Sequence, residues 1–328
     1  MEEWLKGFRG RAWPTRALFE ERLDALDRQI LDLTAAVERI ANEQQRQIGW
    51  EAEVRTRMRR TQALTARAYE ALQGWPDLLA AARSGADYEL PYSDPEPMVS
   101  IPIPTYHSPD TLCERALASV LAQSYPNWEA IVVGDHCTDD TGERVRALND
   151  ERISFHNLDV RETEPDDPWE RWAVMGSVPR STGIEMARGL WIAPLSHDDE
   201  WDADHLATLL AAAREHRAEI AYSRLRVVPA NRVDHPELRT IGSFPPQFGE
   251  FGWQSTIFHG GLRFLRYDRA CALASEPNDW NLARRAWEAG VRFHYVGRET
   301  VTLFDHGRLG EIQAALDAAG LPHSAAGA

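Results

Sequence analysis

From residue 98 onward, short β-branched runs alternate with amphipathic helical stretches, and this alternation most restricts how the chain can fold. MVSIPI (98–103), AIVVGD (130–135), RISFHN (152–157), LWIAPL (190–195) and EIAYSRLRVV (219–228) read as strands, with helices over 109–123, 141–148, 181–188 and 204–216. The pattern predicts an α/β architecture: a mostly parallel, Rossmann-like sheet with right-handed crossovers, flanked by helices. Pro102 conflicts with it. Proline has no N–H to give a central ladder, so a local irregularity is expected there. Beyond Val228 the texture changes. Residues 229–252 read as loop, 253–272 hold a strand or two, 279–289 form a helix, and 292–296 and 300–304 are short strands. Residues 311–328 read as a helix and a disordered tail.

Residues 1–85 form a helical extension. Phe19, Leu23, Leu26, Ile30, Leu33, Val37 and Ile40 alternate spacings of four and three, an a/d heptad seam. The seam fades at Gln44 and Gln47, and a second, weaker helical pattern continues to Arg83. A strict heptad seam calls for a helix partner, so a homodimer through residues 16–47 is expected; a helical hairpin against the chain's own main domain is the alternative. Residues 86–97, rich in proline and acids, read as a linker, and the main domain spans 98–310.

The 328-residue chain carries a net charge of −15, which removes any electrostatic case for nucleic acid or anionic lipid. Lys6 is the only lysine, so anions must be held by arginine, backbone N–H groups or a metal. Three widely spaced cysteines without a Cys-x-x-Cys pair argue against a disulfide framework or a zinc site. No apolar run approaches the ~18 residues of a membrane span. The start of the chain lacks the apolar core of a signal peptide, and a cytoplasmic location is expected.

LSHDDEWDADHL (195–206) carries the densest chemistry. An apolar strand stops at Asp198 and Asp199, and carboxylates at the carboxyl end of a strand lie where open α/β sheets bind ligands. Two hard oxygen donors suit Mg²⁺ or Mn²⁺, which bind through one or two carboxylates together with substrate phosphates. An acidic first turn of the next helix is the plainer alternative.

Residues 99–142, running from VSIPIPTYHSPD to VVGDHCTDDTG, resemble the opening of the family 2 glycosyltransferases. PRSTGIEMARGLWIAPLSHDDEW (179–201) and NDWNLARRAWEAG (278–290) resemble later blocks of that family, in the same order. The resemblance covers roughly residues 98–306 and implies the GT-A fold, inverting sugar transfer from a nucleoside-diphosphate sugar, and a divalent metal. By resemblance, Pro104, Thr105 and Tyr106 form the floor under the nucleotide base, and Asp135 contacts it. Arg180 corresponds to a basic residue that pairs with phosphate or lies near the base. Asp198 reaches the ribose or donor sugar, Asp199 binds the metal, and Asp279 is the general base. His306 stands where relatives carry a group near the diphosphate, a further metal or phosphate ligand. Gly134, Ser196 and Asn278 depart from the pattern, each standing where an acidic residue is usual. Ordinary readings coexist with these: Asp135 and Asp279 as caps of turns and helices, Arg180 as a surface arginine, His306 as a turn histidine.

Two other functions remain at this stage. A nucleotidyltransferase would need a glycine-rich, basic loop after the first strand to hold a triphosphate, and PTYHSPD has neither glycine nor a basic Lys or Arg. A catalytically impaired nucleotide-sugar-binding scaffold, assembled through the coiled coil, fits the three departures. The acceptor, whether saccharide, peptide or natural product, is not legible.

Overall fold

The computed structural model describes residues 16–229 and 239–305, in two compact units, Met1–Thr61 and Gln62–Ala328. Helix α1 runs from Arg16 to Leu72. Within the first unit Leu33, Val37 and Ile40 of the heptad seam are exposed. The side chains of Phe19, Leu23, Leu26 and Ile30 lie outside the described residues.

The second unit opens with the end of α1, then α2 (Trp75–Ser84) and the short α3 (Leu90–Ser93). Residues 86–97, read above as a linker, bury Tyr88 and Tyr92 in the core. Arg83 forks onto the fully buried Glu219 at 2.7 and 2.8 Å, and Tyr88 donates its hydroxyl to the same carboxylate. Buried charges hold only when paired, so this carboxylate anchors the segment to the domain.

The sheet contains β1 (Val99–Thr105), β2 (Trp128–Gly134), β3 (Ile153–Asn157), β4 (Trp191–Ile192), β5 (Glu200–Trp201), β6 (Ile220–Pro229), β7 (Arg239–Ile241), β8 (Thr256–His259) and β9 (Phe293–Asp305). Its order is β3-β2-β1-β4-β8-β6-β9-β5, with β7 on β6. The β3-β2-β1-β4 half is parallel, and the rest is mixed. The α/β class is the one expected. Alternate residues feed two cores, as strand pleating requires. Ala130 and Val132 pack into one with Ile101, Leu117 and Leu206, while Ile131 and Val133 pack into the other with Ile184, Tyr222 and Leu282.

Three details differ from the expectations. Pro102 leaves β1 regular against β2, pairing with Ile131. The irregularity falls on the other side, where Ala193 and Leu195 donate to Ser100 and Pro102 but Pro102 has no N–H to return, and β4 ends formally at Ile192. The strands expected at 292–296 and 300–304 are one strand, β9, parallel to β6 and bulged where Val296 faces Ser223 and Glu299 faces Arg224. A helix over Pro168–Val174 was not foreseen; Asp167 caps it by accepting from the Glu170 N–H at 3.0 Å.

The helices around the sheet are α4 (a run from Pro109 to Leu121 with a π-turn over Leu112–Leu117), α5 (Thr141–Ala147), α6 (Pro168–Val174), α7 (Ser177–Met186), α8 (His205–Glu215) and α9 (Asn278–Glu288). Two of them, α7 and α9, begin at the site.

Candidate functional site

The carboxyl ends of β1, β2 and β9 open onto one cavity of about 350 Å³, joined by the loop after β4 and the starts of α7 and α9. Pro104, Thr105, Tyr106, Asp135, Arg180, Asp198, Asp199 and Asp279 all line it. Ligands in α/β sheets bind at such an edge because loops there converge and backbone groups are free to be read. His306 lies outside the described residues.

At one end stand Thr105, Tyr106 and Asp135. The Asp135 N–H donates to the Thr105 carbonyl at 2.8 Å, locking the two strand ends together. Among the described residues the buried Thr105 hydroxyl has no hydrogen-bond partner. Arg161, which sequence reasoning missed, donates to Asp135 at 3.1 Å, and its guanidinium lies 3.7 Å over the Tyr106 ring. Burial pushes the Asp135 carboxyl above its ordinary range, and the Arg161 charge opposes the shift. Gly134, where the family often has a second acid, has a packing cause. A Cβ there would come within 2.5 Å of the Asn157 side-chain oxygen, and that carboxamide bridges the Cys137 N–H and carbonyl at 2.8 Å each.

At the centre, Asp199 is 3% exposed and accepts from the Phe304 N–H at 3.1 Å. Burial, and then the charge of Asp198, push its carboxyl well above the ordinary range; Arg180 and Arg115 pull the other way. Arg115, also missed, donates to the Asp198 carbonyl at 3.1 Å while its guanidinium lies 3.8 Å over the Phe304 ring. Two adjacent carboxyls, one of them held in a dry site, are the donor set a hard divalent cation would neutralise. Among the described residues no cluster of three or more His, Cys, Asp or Glu could cage a metal. A cation here would therefore share its shell with water and donor phosphates, as Mg²⁺ commonly does.

At the far end, Asp279 sits in the first turn of α9. Its carbonyl accepts from the Trp253 indole at 2.8 Å and its carboxylate from the Trp280 N–H at 2.7 Å. Burial raises its pKa, and the nearby Arg180 charge opposes the rise. Arg180 donates to the Met175 carbonyl at 3.0 Å and to the Asn278 side chain at 3.4 Å. Asn278, standing where the family has a glutamate, is buried and donates to Met175 and Ser177 at 2.9 and 2.8 Å. Gly176, with φ of 68°, makes the left-handed turn that opens α7 and delivers Arg180 one turn later.

Residues 100–166 and 170–270 match the family profile described as Glycosyl transferase family 2. The chain belongs to glycosyl transferase family 2. Among curated family 2 relatives it is 34% identical over 117 residues to the putative colanic acid biosynthesis glycosyl transferase WcaA of Escherichia coli (strain K12), a match covering 35% of this chain and 37% of that protein. It is 27% identical over 136 residues to the UDP-Glc:alpha-D-GlcNAc-diphosphoundecaprenol beta-1,3-glucosyltransferase WfgD of Escherichia coli, covering 42% and 49% respectively. The chain thus spans half or less of the length of these relatives. A solved structure similar to this family 2 chain is S. aureus TarS 1-349 in complex with UDP-GlcNAc, at 17% identity and TM-score 0.47, covering 64% of this chain and 58% of that one.

Proposed function

We propose that the chain is an inverting glycosyltransferase that uses a nucleoside-diphosphate sugar. The observation that carries this reading is the convergence of Asp135, the adjacent Asp198 and Asp199, and Asp279, from three distant segments, on one cavity. The base would lie between Tyr106 and Asp135, with the diphosphate toward Asp198 and Asp199. Those two residues would hold Mn²⁺ or Mg²⁺, which when bound supplies positive charge beside the diphosphate leaving group. The Arg180 guanidinium adds a fixed cation between that end and Asp279. Asp279 would accept the proton of the acceptor hydroxyl as its oxygen attacks the anomeric carbon from the face opposite the diphosphate, giving inversion. Such proton transfer is worth ~10²–10⁴ in rate. The named relatives are a putative colanic acid biosynthesis glycosyl transferase and a glucosyltransferase acting on alpha-D-GlcNAc-diphosphoundecaprenol; a saccharide acceptor is accordingly our reading for this chain.

Its assembly is read as a homodimer through residues 16–47. Ile30 and Val37 occupy a positions and Leu26 and Leu33 d positions, a combination that favours two-stranded coiled coils. Among the described residues no helix is long and apolar enough to cross a membrane.

The test is a screen of UDP-, GDP- and dTDP-sugars for hydrolysis and transfer, with thermal shift by the free diphosphates in Mn²⁺ or EDTA. One nucleotide should stabilise the protein in a metal-dependent manner, and its sugar should be released. Stabilisation without sugar release would favour the nucleotide-sugar-binding scaffold, and stabilisation by none of the three would overturn the reading.

A further inference from the structure

Between the carboxylates of the donor end and Asp279, the turn Trp253–Ser255 forms a clasp. The Trp201 indole, two residues past Asp199, donates to the Gln254 carbonyl at 2.7 Å. The Trp253 indole donates to the Asp279 carbonyl at 2.8 Å. The turn is closed by Ser255, whose hydroxyl donates to the Gly252 carbonyl at 2.8 Å, and Trp253 and Ser255 are buried. Gln254 alone of the three is half-buried, and it lines the main cavity and a small recess that also touches Asp279, Ser196 and Arg180.

The carboxamide of Gln254 accepts and donates no hydrogen bond among the described residues, although its backbone is held from both sides. It lies against Gly252, where a Cβ would come within 2.8 Å of Oε1, so the glycine leaves the space that the amide occupies. This amide, with open donor and acceptor capacity, is carried on a turn whose backbone is held, and its residue lines the cavity shared by Asp198, Asp199 and Asp279. Polar groups that await a substrate hydroxyl discriminate strongly, because an analogue lacking that hydroxyl leaves the amide unpaired.

We propose that Gln254 is a specificity-determining residue whose carboxamide hydrogen-bonds a hydroxyl of the sugar being transferred. The proposal rests on the glycosyltransferase reading above. Its chemistry is recognition only: no bond to Gln254 forms or breaks.

The experiment compares kcat/KM for the preferred nucleotide sugar, found in the donor screen, with its monodeoxy analogues, in the wild-type chain, Gln254→Ala and the near-isosteric Gln254→Met. In the wild type, one monodeoxy analogue should react about tenfold worse than the parent or more. In both variants that ratio should fall to near one, through loss of activity on the parent sugar alone. Binding of the free nucleoside diphosphate and the melting temperature should stay within error, which a merely structural role would not allow. An unchanged ratio in both variants, with turnover intact, overturns this proposal and spares the glycosyltransferase reading. A wild-type chain that turns over no donor overturns both. Parallel loss of diphosphate binding and thermal stability in both variants makes Gln254 structural and also overturns the proposal.

Discussion

The backbone N–H of Phe304 donates to Oδ1 of Asp199 at 3.1 Å, which ties the last strand of the sheet to a carboxylate about a hundred positions earlier in the chain. The same Phe304 carries the Arg115 guanidinium on its ring, and Arg115 holds the Asp198 carbonyl. The acidic loop is thus braced from two elements, β9 and α4. Removing the brace should loosen the loop. Arg115→Met should weaken metal-dependent nucleotide binding by about 10–100-fold, as loss of outer-sphere support does, with the fold intact. Calorimetric titration of the nucleoside diphosphate with Mn²⁺ measures it, and unchanged affinity would show that the brace is idle.

Asp279→Asn should reduce transfer by ~10²–10⁴ while leaving diphosphate affinity within a few-fold. Burial places the pKa of this carboxyl above its ordinary value. A base works only when deprotonated, so wild-type kcat should rise with pH along an acidic limb lying above pH 3.8, the ordinary value, and the variant should lack that limb. A pH–rate profile of both proteins decides it; a variant with wild-type turnover removes Asp279 from the mechanism.

Glu219→Gln should destabilise the α/β unit. Burial alone would raise the Glu219 pKa, but hydrogen bonds from Arg83, Tyr88 and the Arg292 N–H outweigh burial and hold it below its ordinary range. A depressed carboxyl stabilises the fold above its unfolded pKa, and that contribution is lost as pH falls through the folded pKa. The variant should therefore be less stable than wild type at pH 7, and the gap should close in acid. Breaking a buried pair costs about 3–5 kcal/mol, and the partial exposure of Arg83 and Arg292 puts this case at the lower end. Urea denaturation at pH 7 and pH 3.5 tests the sign; an equal gap at both would refute it.

Leu33→Asp combined with Val37→Asp should convert a dimer to a monomer in light scattering, because a charge at a or d removes the apolar seam that these exposed side chains offer. Unchanged mass would assign the oligomer, if there is one, to another surface.

How much of this was readable in advance can be told residue by residue. The periods of the strands and helices and the placement of Tyr106 and Asp135 just past the ends of β1 and β2 follow from local pattern, since burial on two sheet faces forces apolar runs and leaves polar groups at their ends. The second half of the sheet was less legible: β9 conceals its continuity behind a bulge at Gly297 and Arg298, which reads locally as a break.

Sequence by itself therefore determined the α/β class, the family blocks and the acids that line the cavity, because each is encoded within a few residues by chemistry and period. Tertiary structure alone decided which side chains brace them. Arg161 over Tyr106, Arg115 over Phe304 and the paired indoles of Trp201 and Trp253 act across separations of about 30 to 190 positions. The physical reason is that a hydrogen bond or ring contact needs a few ångströms in space and leaves no trace in spacing along the chain.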